Sequence, residues 1–473
     1  MIPRVELTGA ADSILVHAVP VRAGEVPASF AAAAEAAGFA GEAGTVCDAM
    51  AGARRMLLLG VGEGAVASAY EEAGATAATH TLQAREIAVD LRGLRKGDAI
   101  AFLTGAVLRA WRYDNLFSKP PEGAANLSRI AAVTNDRPLE KRWARQEAVL
   151  QGVIFARDLV TEPSNILTPE NFVARLERLA AAGIAVQILR GAALREAGLT
   201  GLLAVGGGSA HPPALAVLRW KGDFAAPPVA FVGKGITFDT GGICIKPADD
   251  MWEMRADMAG AAACTGAMLA LARRGSPAPA IAVLALAENA IGAASYRPGD
   301  VLRHACGTTI EVVDTDAEGR LVLIDALGWV LREKPAAIVD LATLTGSVVT
   351  ALGHEMAGLF SNDGALAGAV AAAGAAVGEP VWQLPIDASH RDAIRSDIAD
   401  LRHCAPGRGQ PDASRAAAFL REFVGDVPWV HLDIAGVESR AEASGRYAKG
   451  ATGFGVRLLD RLVRDRFEDP HRL

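Results

Sequence analysis

Short aliphatic and β-branched runs alternate with longer stretches in which small apolar residues recur at helical spacing, and polar residues punctuate the joins. In the first part of the chain, residues 13–19, 55–59, 99–102 and 130–133 read as strands, and 65–73 and 103–112 as helices. Residues 120–123, Pro-Pro-Glu-Gly, read as a loop. This alternation predicts a small α/β domain. Residues 137–158 predict one charged helix with Pro138 at its start, where the missing N–H costs nothing because the first turn leaves it unpaired. Beyond it, 185–189, 214–218, 229–232, 281–286, 309–313, 337–341 and 430–434 read as strands separated by Ala-rich helices. That pattern predicts a mainly parallel or mixed sheet covered by helices. The organisation expected is therefore α/β throughout: an N-terminal domain over 1–135, a linker helix over 136–160 and a larger domain over 161–473.

The pattern breaks where charge interrupts apolar sequence. Between a short strand at Ile310, Val312 and Val313 and the apolar helix that begins near Leu321, Asp314, Asp316, Glu318 and Arg320 occupy every second position. Three carboxylates within five residues repel one another unless a cation or protons share the site. Taken alone, the stretch also fits a solvated acidic turn whose Asp316 or Glu318 caps the helix. A second break follows the run 229–232, where Lys234, Asp239 and Lys246 are separated by glycines that let backbone approach a ligand. Asp257 stands at the start of an Ala-rich helix a little further on. Lysines and aspartates embedded in apolar sequence are rarely buried without partners. Asp239, Asp257, Asp316 and Glu318 supply enough oxygens for two divalent cations, and Lys234 adds a nitrogen if neutral, a form that burial and a nearby cation both favour. Lys246 and Arg320 remain as cations able to stabilise developing negative charge, which completes the equipment of two-metal hydrolysis.

Composition narrows the rest. Lys and Arg number 47 against 54 Asp and Glu, a net charge of −7 that argues against nucleic acid as a partner. Five cysteines are widely spaced and form no C-x-x-C, as expected of free thiols in a reducing compartment. No apolar leader follows the first residues, and 365–377 is too short to span a membrane, so a soluble cytoplasmic chain is expected. Gly60-Val-Gly-Glu-Gly-Ala65 matches a dinucleotide fingerprint only nominally, without the acidic residue that should close the next strand, and reads as a glycine turn. His354-Glu355 begins a zinc-peptidase motif that Gly358 ends, and no serine-hydrolase elbow is present.

The segments Val232-Gly-Lys-Gly-Ile-Thr-Phe-Asp-Thr-Gly-Gly242, Met254-Arg-Ala-Asp-Met258 and Thr315-Asp-Ala-Glu-Gly-Arg-Leu321 resemble the signatures of leucyl aminopeptidases, also called cytosol aminopeptidases. Pro163 to Pro169, Ala287-Glu-Asn289, Arg297 to Asp300, Leu341 to Gly346 and His431 to Gly436 fit in order, so the resemblance covers roughly 150–465. It implies a macro-like N-terminal domain and a catalytic domain that removes the N-terminal residue, leucine and other mainly apolar ones, from peptides with a free amine. It implies two divalent ions (manganese or zinc, with magnesium or cobalt compatible) and a hydroxide bridging them. Lys234, Asp239, Asp257 and Glu318 are the implied ligands of one ion, and Asp239, Asp316 and Glu318 those of the other. Lys246 is the implied oxyanion donor and Arg320 the holder of a bicarbonate base. Met254, Thr343, Gly346 and Ala435 are implied to line the pocket for the first side chain, with Leu344 touching substrate through its backbone. A homohexamer is implied as the assembly. Two departures stand out. Asp314 replaces the family's usual Asn, which bears on metal preference and pH optimum. Residues 403–415, with His403-Cys-Ala-Pro-Gly and Gln410-Pro-Asp-Ala-Ser-Arg415, replace a stretch with a Gly-Gly pair and are expected to reshape access to the pocket. Another two-metal hydrolase, such as a phosphoesterase, is the rival class.

Overall fold

The computed structural model describes residues 2–64, 66–119, 124–407 and 411–469, so the predicted 120–123 loop, Ala65 of the glycine turn and residues 408–410 lie outside the described residues. The chain divides into two compact units, Met1–Leu150 with Arg440–Gly450, and Gln151–Ser439 with Ala451–Leu473.

The first unit is built on strands β1 (Arg4–Thr8), β2 (Val16–Val21), β3 (Val46–Ala51), β4 (Arg54–Gly60), β5 (Glu86–Asp90) and β6 (Arg129–Val133). They form one sheet in the order β1-β6-β5-β2-β4-β3, parallel except for the β3–β4 hairpin. Helices Ala67–Thr81 and Lys96–Ala110 cross at two glycines, where a Cβ on Gly105 would stand 1.8 Å from the Glu71 carbonyl oxygen and one on Gly74 would stand 1.9 Å from that of Phe102. The strand expected at 99–102 is part of the second of these helices. Ala99, Phe102, Leu103, Ala106, Val107 and Ala110 recur at three- and four-residue steps and are all buried, so the helical period extends upstream through the short apolar run.

The long helix expected over 137–158 forms over Pro138–Thr161, and the division between units falls inside it. In the second unit the strands are β7 (Ala185–Arg190), β8 (Ala214–Trp220), β9 (Val229–Asp239), β10 (Ala280–Asn289), β11 (Val301–Arg303), β12 (Thr309–Glu311), β13 (Ala337–Ala342), β14 (Ala357–Ser361), β15 (Val381–Gln383), β16 (Leu401–Arg402) and β17 (Trp429–Asp433). Eight of them make a mixed sheet in the order β15-β14-β17-β13-β9-β10-β8-β7. Its middle four, β17, β13, β9 and β10, run parallel. The strand expected at 309–313 is shortened to β12 and lies in a separate three-stranded sheet, β11-β12-β16, with Val312 still bonded to Gly299 and Asp300 just beyond the strand ends. Along β9 almost every side chain is buried, as a strand covered on both faces requires. Helices Ala259–Arg274 and Glu318–Val330, themselves almost wholly buried, pack on this strand.

Candidate active site

From β9 the chain passes to β10 on one side of the sheet, whereas β13 and β17 add on the other, so the order reverses at β9. In open α/β sheets the crevice beyond the carboxyl ends at such a point is where ligands bind. The marked residues converge there. Lys234 and Asp239 lie on the second half of β9, Asn289 ends β10, Thr343 to Gly346 follow β13, and Asp433 ends β17 with Ala435 just beyond. Glu318 opens its helix at the same end, with Asp316 in the turn before it, and Asp257 follows the single turn Met251–Ala256 that carries Met254.

One ammonium ties the two acidic segments together. Lys234 Nζ lies 2.7 Å from Asp257 Oδ1 and 2.8 Å from Glu318 Oε1, and it donates to the Thr343 carbonyl at 2.8 Å. The Thr343 hydroxyl donates to the same Asp257 oxygen at 2.7 Å. Gly319 makes this possible, since a Cβ there would stand 2.6 Å from Lys234 Cε. Lys246 closes the other side, 2.9 Å from Asp239 Oδ2 and in direct contact with Asp316 Oδ1. The lysine that the sequence leaves as a spare cation thus sits inside the carboxylate cluster. Asp239, Asp316 and Glu318 each offer an oxygen within 4.8 Å of the others. Two further oxygens, Asp257 Oδ2 and Glu318 Oε2, are buried with no hydrogen-bond partner. Buried acceptors left open beside a carboxylate cluster are what a divalent cation satisfies, so the residues present fit a metal centre.

The electrostatics follow from burial. Desolvation and then Asp239 push the Asp316 carboxyl up to about 7, and the same two causes raise Glu318. Burial drives Asp257 well above the ordinary carboxylate value although Lys234 opposes it. The sequence expects a neutral Lys234 only beside a metal ion, and the carboxylates alone act in the opposite sense. Burial lowers the lysine's pKa, but Asp257, Glu318 and Asp239 raise it further, so among carboxylates alone it is a firmly charged ammonium. The neutral form needs the neighbouring cation that the expectation also invoked.

Arg320 is fully buried, and its two terminal nitrogens are both taken by Asp412 at 2.9–3.1 Å, with a further bond to the His403 carbonyl at 3.1 Å. The fork that the resemblance reserves for a bicarbonate therefore holds a carboxylate of the chain itself. Asp314 serves the local turn, accepting from the Asp316 N–H at 2.9 Å. Of the expected pocket residues, Thr343 is bound into the cluster. The Leu344 and Ala435 N–H groups both donate to Asp433 Oδ1, at 3.1 and 3.3 Å, and Gly346 begins the helix Gly346–Leu352 that Thr345 caps. Met254 is half-buried on its turn, and nothing described joins it to the others. Sequence reasoning assigned no role to Asn289, which donates to Asp239 Oδ1 at 2.7 Å and to the Thr315 carbonyl at 3.0 Å, nor to Asp433 or Asp412. Asn289 and Asp433 stood inside recognised motifs, and Asp412 inside the stretch that departs from them.

The switch-point sheet and the largely buried carboxylate–lysine cluster together fit an α/β enzyme. Residues 154–460 match the catalytic domain of the cytosol aminopeptidase family. A probable cytosol aminopeptidase of Gluconobacter oxydans is 45% identical over 438 residues, covering 90% of this chain and 89% of that protein. One from Brucella melitensis is 42% identical over 458 residues, covering 92% and 93%. Among solved structures, the bottromycin maturation enzyme BotP in complex with manganese superposes with a TM-score of 0.87 at 37% identity, covering 95% of this chain and 99% of that one. A mutant of tomato leucine aminopeptidase gives 0.86 at 31% identity, covering 98% and 97%. The chain belongs to the cytosol aminopeptidase family, and its activity is that of a leucyl aminopeptidase-type hydrolase. Among the described residues no helix is long and apolar enough to cross a membrane.

Proposed function

We propose that this chain is a two-metal aminopeptidase that releases the N-terminal residue, leucine and other mainly apolar ones, from peptides. The observation that carries the reading is the cluster itself, with three carboxylates inside 4.8 Å and buried oxygens of Asp257 and Glu318 that no donor among the described residues reaches. Lys234, Asp239, Asp257 and Glu318 would hold one ion, and Asp239, Asp316 and Glu318 the other. Manganese or zinc suits this donor set, and magnesium or cobalt is compatible. When bound, such a pair acidifies water enough for attack near neutral pH.

The protein's own groups do the rest. The lysines differ in reach, since the Lys246 side chain is 20% exposed and that of Lys234 4%. Lys246 is therefore the donor that can meet the scissile carbonyl as its oxygen gains charge. A free α-amine has a lone pair with which it would bind one of the ions, and an acylated one does not, which would disfavour a blocked substrate. Met254, Thr343, Gly346 and Ala435 would receive the first side chain, with Leu344 meeting the substrate through its backbone. Because Asp412 fills the Arg320 fork, a bicarbonate there is not part of the reading. The working assembly would be a cytoplasmic homohexamer, as the resemblance implies.

Hydrolysis of leucyl arylamide with and without Mn²⁺, beside an N-acetylated control, tests this. Metal-dependent turnover of the free amine alone is expected; equal turnover of the blocked substrate, or a preference for phosphate esters, overturns it. Glu318→Ala should lose metal and activity together, whereas Lys246→Ala should keep the metal and lose about 10²–10³ in kcat.

A further inference from the structure

We infer that Asp412 is a catalytic residue: its carboxylate, docked on Arg320, takes the proton from the attacking water and delivers it to the leaving amine. This rests on the aminopeptidase reading above. The proton balance is simple. As the water oxygen bonds to the carbonyl carbon, one of its protons passes to Asp412; as the C–N bond breaks, the same proton moves to the departing nitrogen and the carboxylate is restored.

Position is the first argument. Arg320 stands two residues after Glu318 with its side chain 2% exposed, while that of Asp412 is 39% exposed, so the carboxylate has one side on the guanidinium and the other open. Asp412 begins the helix Asp412–Arg421, and the next N–H, of Ala413, donates to Ser347 Oγ at 2.7 Å, adjacent to Gly346. The carboxylate is thereby bracketed between the helix that carries Glu318 and the loop expected to receive substrate. Elimination is the second argument. Asp239, Asp257, Asp316 and Glu318 are the oxygens given to the cations, so their lone pairs are taken by metal, whereas Asp412 keeps the lone pairs on its open side. Arg320 keeps its protons. His403 is fully buried with one ring nitrogen at the Val313 N–H and Glu311 carbonyl and the other 2.7 Å from the Asp314 carbonyl. His431 is tied to Asp340 at 2.6 Å beneath the sheet surface. Burial raises the Asp412 carboxyl, but the charge and hydrogen bonds of Arg320 more than offset this, so it is ionised.

The plain alternative is a structural ion pair at a helix start. Asp412→Ala and the isosteric Asp412→Asn, loaded with Mn²⁺ and assayed on leucyl arylamide, separate the two. Each should lose about 100-fold or more in kcat with little change in KM at wild-type metal content, while Asp412→Ala melts lower because buried Arg320 loses its partner. Formate should restore turnover in Asp412→Ala, where the vacated fork admits it, and not in Asp412→Asn. Metal-free Asp412→Ala should also bind ¹³C-formate by NMR, whereas the wild type should not. Retention of kcat within about threefold in either folded variant overturns the inference. So does a loss of metal in step with rate, or a dead Asp412→Ala that neither binds formate nor responds to it. The formate-binding arm needs no substrate, so a wild type inactive on peptides would sink the aminopeptidase reading and leave a separate result for the Arg320 dock.

Discussion

Gly319 shows how much a single missing methyl can govern. The Lys234 side chain lies across it, and a Cβ would approach Nζ to 2.8 Å as well as Cε to 2.6 Å. Gly319→Ala should displace the ammonium from Asp257 and Glu318, costing about 1–3 kcal/mol of stability and weakening Mn²⁺ binding. Urea denaturation and metal titration would show both; unchanged metal affinity would mean that Lys234 relaxes freely. Asp325, seven residues into the same helix, behaves differently. Its Oδ2 accepts the Leu202 N–H at 2.8 Å, and burial lifts its carboxyl from 3.8 to about 8. The folded chain therefore holds a proton that the unfolded chain releases, and stability falls as pH rises across that window. Asp325→Asn keeps the acceptor and removes the charge, so its stability relative to wild type should grow between about pH 4 and pH 8 and then level off. Urea midpoints at several pH values check the sign; a constant difference would refute it.

Among elements, what was legible depended on whether the local pattern was unambiguous. The helix after Glu318 could be read because its apolar run is long and begins at charge, whereas β9 was legible only over 229–232 and continues through Lys234 to Asp239. The run at 99–102 could not be read, because four apolar residues satisfy either period, and only the continuation to Ala110 decides between them. Strand β5 went unread because three buried residues, Ile87 to Val89, sit between two acids and leave too short a signal. The glycine crossing of helices Ala67–Thr81 and Lys96–Ala110 has no sequence signature at all, yet it sets their separation. Gly105→Ala should force the pair apart and destabilise the first unit by about 1–3 kcal/mol or more, whereas Gly97→Ala on the same helix, with nothing within 4 Å, should be nearly neutral. Equal urea midpoints for the two variants would show that the crossing yields.

At the scale of the whole molecule, the acidic residues stood out because charge inside apolar sequence demands an explanation, and the fold gathers them from the end of β9, the segment after Met251–Ala256 and the turn that opens helix Glu318–Val330. Their partners were not legible. Asp412 is polar among polar neighbours, and nothing in its surroundings names an arginine 92 positions earlier. The charged state of Lys234 among carboxylates alone was hidden for a related reason, since the three carboxylates that outweigh burial come from different segments. Removing metal with a chelator should abolish turnover and lower the melting temperature, and Mn²⁺ at 100 times its Kd should restore about 2.7 kcal/mol. Calorimetry of the stripped and reloaded protein measures this, and an unchanged melting temperature would argue against a bound ion.

Lys234 and Lys246 have one more implication. Each ammonium bridges carboxylates from distant segments, so the polypeptide brings its own counterions to a place that mutual repulsion would otherwise pry open. The chain is therefore expected to reach its native fold before any ion arrives, which refolding yield in the presence of a chelator measures.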